Sequence, residues 1–358
     1  MPYTTVNNPN DHYHTQLYTG NGSDNHDITN NAVNDFQPDF LWIKNRVDSG
    51  NNHHLFSSST PGSGYVGHLS TDLNSALATA TNKVKQFNSD GFRLATHSSV
   101  NSNNSTYATW QWIANGGTTT SFTESGDNPG GNYQANTVSG FSMVKYTGTG
   151  AAGTVQHGLG AVPQTIWIKD LSEASSWIIY HHDLGNTHYL RFNTSNGTTS
   201  ESSHFNNTTP TSSVFTVGTS TNVNKNDNDY LAYVFAEKQG FSKFGRYTGN
   251  GLASGPFIYC GFQPAFFMCK QTNVDNRSWS LLDNARGPNK DSGKVLVPNE
   301  DGADENIDYD ISSIGWKFKQ NHTAVNDASG TYMFWAFAKH PLVSSTGVVG
   351  PGAFFNAE

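Results

Sequence analysis

Arg246-Tyr247-Thr248-Gly249-Asn250-Gly251, followed by Gly261-Phe262-Gln263-Pro264-Ala265-Phe266-Phe267-Met268-Cys269-Lys270, is a phrase that this chain repeats. Earlier copies read Leu17-Tyr18-Thr19-Gly20-Asn21-Gly22 with Phe36-Gln37-Pro38-Asp39-Phe40-Leu41-Trp42-Ile43-Lys44, and Lys145-Tyr146-Thr147-Gly148-Thr149-Gly150 with Val162-Pro163-Gln164-Thr165-Ile166-Trp167-Ile168-Lys169. A Gly-rich turn ends one strand, and a Pro at the start of the next costs its ladder least. Two further anchors keep the register. One is an aromatic strand at Asp90–Leu94, Ser213–Val217 and Ile314–Phe318; the other is a closing strand at Tyr107–Ile113, Tyr230–Ala236 and Tyr332–Ala338. Copies two and three lie about 101 residues apart, as from Tyr146 to Tyr247, and copies one and two about 125 apart. A unit of that length is domain-sized, longer than a solenoid repeat.

The division that follows is an N-terminal arm 1–16, a first repeat 17–114, a linker 115–140, a second repeat 141–239, a third repeat 240–340 and a C-terminal tail 341–358. The linker rests on Asn-Gly-Gly-Thr-Thr-Thr and Asp-Asn-Pro-Gly-Gly-Asn stretches, which bury too little apolar area to fold alone. The expected fold is all-β, three tandem antiparallel β-sandwiches of jelly-roll or lectin-like type. In copy two the strands fall at Phe141–Thr147, Thr154–His157, Thr165–Asp170, Trp177–His181, Tyr189–Asn193, Val214–Val217 and Tyr230–Glu237. The closing strand of that copy is apolar on both faces, which marks it as central. The best helical candidate is Asp72 to Lys85, Ala-rich but broken by Thr. The turn Glu237-Lys238-Gln239-Gly240 is tight, so copies two and three should pack closely while the first junction is looser.

Composition narrows the function. Aromatics are 13% of the chain and charged residues only 13%, so the core must come from large rings. Formal net charge is −8 without a Lys/Arg stripe, which disfavours nucleic acid as a partner. No apolar run reaches the roughly 18 residues of a membrane span, and residues 1–16 lack the charged-then-apolar pattern of a leader. Few lysines blunt the strand edges, which argues that neighbouring copies or other subunits cover them.

Candidate site residues are sparse. His12 and His14 share a strand face and could hold a metal together; the competing reading is two structural histidines. His181 and His182, being adjacent, should point apart. Asp227 and Asp229, and the group Asp301, Asp304, Glu305, Asp308 and Asp310, offer oxygen ligands without calcium-loop spacing, so solvated loop acids compete. Cys260 and Cys269 flank a corner and read either as free buried thiols or as a bridge. Trp177 and Trp279 occupy equivalent positions, which favours core over sugar platform; Trp110, Trp112, Trp335 and Phe337 read the same way. Glu237 and Asp170 lack an evident carboxylate mate, and no nucleophile elbow, metalloprotease helix, phosphate loop or dinucleotide fingerprint occurs. No catalytic, cofactor-binding or metal residue is assigned, no cofactor is expected, and the chain is read as not an enzyme.

The repeated block Tyr-Thr-Gly-(Asn/Thr)-Gly, Gly-Phe-Gln-Pro-x-Phe and Trp-Ile-Lys-(Asn/Asp), closed by Tyr-x-x-(Tyr/Trp)-x-Phe-Ala-(Glu/Lys), resembles an uncharacterised lectin- or laminin-G-like (concanavalin-type) domain family. That family occurs in structural proteins of tailed bacteriophages, marine and cyanobacterial phages among them. The resemblance spans residues 17–340 and includes Ala236–Gly245 and Ala338–Pro341. The first copy departs most, with His53-His54 where the others have Ser-Trp. The resemblance implies a virion protein on the particle exterior (tail fibre or spike component, adaptor or head decoration) that touches host-surface glycans. Its partners would be other virion proteins and copies of itself, as a homo-oligomer such as a trimer. The alternative is a secreted carbohydrate-binding protein or the accessory domain of a glycan-degrading enzyme.

Overall fold

Each copy of the repeated phrase becomes the first strand of a sheet, and its closing segment becomes the strand beside it. A computed structural model describes residues 4–32, 34–79, 81–287 and 293–341. The expected C-terminal tail lies outside the described residues from 342 onward. The first third contains β1 (Tyr13–Thr19), β2 (His26–Thr29), β3 (Phe40–Asn45), β4 (His54–Pro61), β5 (Val66–Ser70), β6 (Val84–Asn88), β7 (Gly91–Leu94), α1 (Ser98–Asn101) and β8 (Thr106–Trp112). The middle third contains β9 (Thr120–Phe122), β10 (Gly131–Asn136), β11 (Phe141–Thr147), β12 (Gly153–Gln156), β13 (Thr165–Asp170), β14 (Ile178–His181), β15 (His188–Tyr189), β16 (Thr199–Ser200), α2 (Ser202–Phe205), β17 (Val214–Val217), α3 (Thr221–Asn224) and β18 (Asp229–Phe235). The last third contains β19 (Ser242–Thr248), β20 (Phe257–Tyr259), β21 (Phe262–Gln271), β22 (Ser280–Asp283), β23 (Lys294–Val295), β24 (Glu305–Asn306), β25 (Tyr309–Ser312), β26 (Gly315–Phe318), α4 (Thr323–Asn326) and β27 (Thr331–Pro341).

The chain is all-β with antiparallel sheets. The large sheets run β1-β8-β3-β4-β5, β14-β13-β18-β11-β10-β9 and β19-β27-β21-β22. In each, the closing strand lies between the first strand and the Pro-led strand, as a strand with two apolar faces must. Smaller sheets, β2-β7-β6, β12-β17 and β20-β26-β25, recur in the three thirds. One face of a large sheet packs toward its own small sheet: Ile43, Phe56, Phe92 and Tyr107 in the first third, and Ile166, Ile168, Phe215 and Val234 in the middle one.

The other face packs against the remaining thirds. Register makes Trp112, Phe235 and Phe337 equivalent, and their rings meet at 6.4, 5.7 and 5.4 Å. Trp42, Trp110, Trp167, Tyr233, Phe266 and Trp335 join them in one continuous buried cluster. Hydrogen bonds close the thirds head to tail. The residue just past the Pro-led strand accepts a backbone N–H from another third each time: Leu77 N to Leu171 O (3.0 Å), Thr198 N to Thr272 O (2.9 Å) and Asp304 N to Arg46 O (2.9 Å). Trp177 Nε1 donates to Ser70 O (2.8 Å) and Trp279 Nε1 to Arg191 O (2.9 Å). His53 holds the same place in the first third, its ring facing the Val297 carbonyl.

The repeated turn is clamped by a buried asparagine in α1, α3 and α4. Asn101, Asn224 and Asn326 accept the backbone N–H of Asn21, Thr149 and Asn250 (2.9, 2.8 and 2.8 Å). Each donates in return to two carbonyls, one in the turn and one before the helix. The tyrosine before each turn reaches the same helix: Tyr18, Tyr146 and Tyr247 donate to Val100, Val223 and Val325 O. A Cβ on Gly148 would sit 2.3 Å from Lys225 O, so only glycine fits the close approach.

Three expectations are corrected. Residues 115–140 are not a bare linker: β9 and β10 pair with each other and extend the middle sheet beside β11. That hairpin needs no core of its own, because Phe122 and Tyr133 lie on the middle third's apolar cluster. Asp39 fixes its approach by accepting the N–H groups of Ala114, Gly116 and Gly117 at 2.8 to 2.9 Å. The stretch 72–85 is not a helix, because Leu77 and Ala78 spend their backbone groups on Leu171 and His68. The N-terminal arm enters the sheet early, since β1 begins at Tyr13.

Because each inner face is covered by the other two thirds, unfolding should be shared. Phe235→Ala is expected to cost about 3–5 kcal/mol, with far-UV dichroism and tryptophan fluorescence moving in one coincident urea transition. Three separable transitions would contradict a common core.

Candidate functional site

His12 and His14, weighed as a metal pair against two structural histidines, are held by different asparagines. His14 Nε2 engages Asn31 Oδ1 at 2.7 Å, whereas His12 Nδ1 meets Asn136 Nδ2 at 3.2 Å with its ring against Phe241. His181 and His182, expected to diverge, stack at 5.1 Å because β14 ends at His181 and the chain turns. With Asp183 they are the one trio of ligand-type groups among the described residues, all within 4.8 Å. One nitrogen of each ring is engaged: His182 Nε2 donates to Phe244 O (3.0 Å), and His181 Nδ1 accepts from Asp183 N (3.2 Å), while His181 Nε2 is buried without a hydrogen-bond partner. Burial holds His181 down to a pKa of about 3. The trio staples the middle third to the last.

The acidic cluster also serves a junction. Arg286, fully buried, donates to Asp283 Oδ2 and Asp304 Oδ1, both at 2.7 Å, and Arg46 of the first third reaches Asp304 Oδ2 at 2.9 Å. Trp110 Nε1 adds a bond to Asp283 Oδ2 (3.0 Å). Asp227 takes a positive φ of 63° at a turn, and Asp229 pairs with Lys145 and Thr147. Glu237 is tied to Lys243 (2.8 Å), while Asp170 accepts Ser172 N, Glu173 N and Asn228 Nδ2. Cys260 and Cys269 are free, buried thiols, and burial pushes Cys269 up to about 12. Trp177 and Trp279 are buried at the junctions, which removes them as ligand platforms.

Three lysines of the Pro-led strands lie on the inner faces. Lys44, Lys169 and Lys270 each donate to the carbonyl of the next residue (2.9, 2.9 and 2.8 Å). Lys44 and Lys270 also reach across to Asp301 O and Ser195 O, both at 3.3 Å. Burial lowers all three to a pKa of about 8.

Clefts occur at the outer edge of the large sheets, where a hairpin meets the start of a short helix. In the first third the cleft is about 410 Å³, between the β4–β5 hairpin, the chain before β6 and α1. His54, His68, His97 and Lys83 line it, with Asn52 and Ser98. His54 and His68 meet edge to face at 4.8 Å, and His54 Nδ1 lies 3.3 Å from Ser70 Oγ. A cleft of about 230 Å³ occupies the corresponding place in the last third, lined by Trp279, Arg277, Glu300, Glu305 and His322. In the middle third, Tyr189 packs on His204 at 4.2 Å in that place. Sequence reading missed the first cleft because His54, His68 and His97 lie on separate elements. The one signal was His54 itself, standing where the other copies have Ile178 and Ser280.

A family model described as a domain of unknown function (DUF7483) matches residues 8–341, and the chain belongs to that family. No curated protein matches it significantly.

The lysines have a pH signature. An ammonium with a folded pKa near 8 against 10.5 unfolded leaves the unfolded chain holding more protons between those values, so stability rises with pH across that window. Tyr18, Tyr146 and Tyr247, whose pKa burial raises well above 10, stay protonated in the fold, so stability falls once unfolded tyrosines ionise. The urea midpoint should therefore climb above about pH 8 and turn down beyond about 10, with Lys169→Met flattening the climb. Identical slopes in that variant and the parent would refute the assignment.

Proposed function

We propose that this member of the DUF7483 family is a structural protein on the exterior of a tailed-bacteriophage particle, built from three lectin-like β-sandwich repeats whose loops touch host-surface glycans. The observation that carries the reading is the head-to-tail closure of three thirds around one aromatic centre. Such a body presents three related edges at fixed spacing, which suits a threefold appendage or a repeated lattice position. It also holds weak contacts together, so that linked sites bind with greater avidity than any one of them. Its partners are other particle proteins, with further copies of the chain among them.

Support for surface contact comes from the last third. Phe257 and Tyr259 share one face of edge strand β20 and are 47% and 58% exposed. Rings left on an edge strand are usual where another molecule covers them. The polar cleft in the first third also suits the second reading, a secreted carbohydrate-binding protein.

Mass spectrometry of purified particles separates the two. The particle reading expects this chain at fixed stoichiometry after density-gradient purification, and expects the isolated protein to shield host cells from infection. Particles lacking the chain, with the protein recovered free in the medium, would favour the secreted reading.

A further inference from the structure

We infer that the cleft in the first third is a binding site for an anionic saccharide, with Lys83 holding its acid group and the imidazoles of His54, His68 and His97 meeting its hydroxyls. The inference stands whether or not the chain sits on a particle.

Lys83 is the reason. The residue is 6% exposed, yet its ammonium makes no ion pair or hydrogen bond among the described residues, and no carboxylate offsets the burial that lowers its pKa. An ammonium partly shielded from water and lacking a counter-charge gains a charge-assisted bond when an anion docks beside it. The other buried cations here are satisfied: Lys44 and Lys270 by carbonyls, Arg286 by two aspartates. Lys83 alone among these lines a cleft, which leaves its anion to come from outside.

Comparison of the thirds sharpens the point. The carbonyl of Lys83 accepts Ala95 N, that of His204 accepts Gly218 N and that of Asp308 accepts Lys319 N, so the three residues are equivalent. His204 is engaged by Ser220 Oγ at 3.2 Å and lies 3.7 Å from Glu201, with Tyr189 filling the space. Asp308 has the opposite charge and lies beside, not in, the cleft of the last third, where Glu300 and Glu305 face Arg277 and His322. The framework is shared, and the charge at this one place is different in each copy.

The ligand class follows from the lining. One cation suits a singly charged carboxylate or sulfate ester better than a phosphate cluster. The imidazoles are kept neutral by burial and by Lys83; His97 Nδ1 already accepts from Ser99 N (3.2 Å) and His54 Nδ1 lies against Ser70 Oγ, which leaves Nε2 of these two rings for a sugar hydroxyl. His68 Nδ1 is buried without a partner. The volume of about 410 Å³ lies in the range of small-ligand sites.

Isothermal titration calorimetry on the full chain at low salt tests this, with glucuronate, N-acetylneuraminate and galactose 6-sulfate as probes, and glucose and acetate as controls. At least one acidic sugar should bind, more tightly than acetate, with glucose silent. Affinity should drop at least tenfold in Lys83→Met and weaken in His54→Ile, a residue the middle third already carries at that position. Both variants should melt cooperatively, near the parent temperature. No acid binding, or binding unchanged in a folded Lys83→Met, would overturn the site. Equal affinity for acetate and every acidic sugar would overturn the saccharide assignment.

Discussion

Three rings that must be hidden govern this molecule. Trp112, Phe235 and Phe337 stand at the same place in three closing strands, on sheet faces turned away from their own small sheets. A sheet apolar on both faces cannot leave one in water, and the nearest cover for each is the matching face of the other two. Once those faces meet, the Pro-led strands end at the junctions, and their next carbonyls find N–H donors across them. The buried lysines, the indole bonds of Trp177 and Trp279 and the Arg286 network all lie along those junctions. Their polar groups are paired there because water has been excluded by the rings.

Much of this could be read from the residues. The strands at 141–147, 165–170 and 214–217 stand where alternation and turns place them, and the tight turn at Lys238–Gly240 is made, with Gly240 at a φ of 78°. The closing strand's double apolar face was legible, though it does not say what lies against the second face. For the same reason the 115–140 segment misleads: composition shows that it has no core and is silent on the core it borrows. The pair Val100-Asn101, repeated as Val223-Asn224 and Val325-Asn326, was in plain view yet has no chemistry that advertises it. Its role emerges only when each amide is seen bridging a turn and a helix. Asp304 looks like a loop acid until Arg286 and Arg46 are placed on it from two different thirds.

Internal repetition separates the two kinds of constraint. Positions that stay the same in all three copies, the Tyr-Thr-Gly turn, the helix asparagine and the strand lysine, close hydrogen bonds that any copy needs. Positions that differ while their neighbours stay fixed have been released from that duty. The sheet edge around the cleft is such a place, with Lys83, His204 and Asp308 equivalent by backbone position and His54, Ile178 and Ser280 equivalent on the facing strand.

Fusion of the three copies into one chain makes this divergence possible. In a homotrimer every substitution appears three times, so an ammonium without a counter-charge would be introduced at three edges together. In a single chain the charge can be carried by one third, while the other two fill or invert the same space and contribute only to closure. The central rings then hold three edges at fixed spacing but leave each free to acquire its own chemistry. Three related edges are thus joined in one chain, and the first-third cleft is where they have diverged furthest.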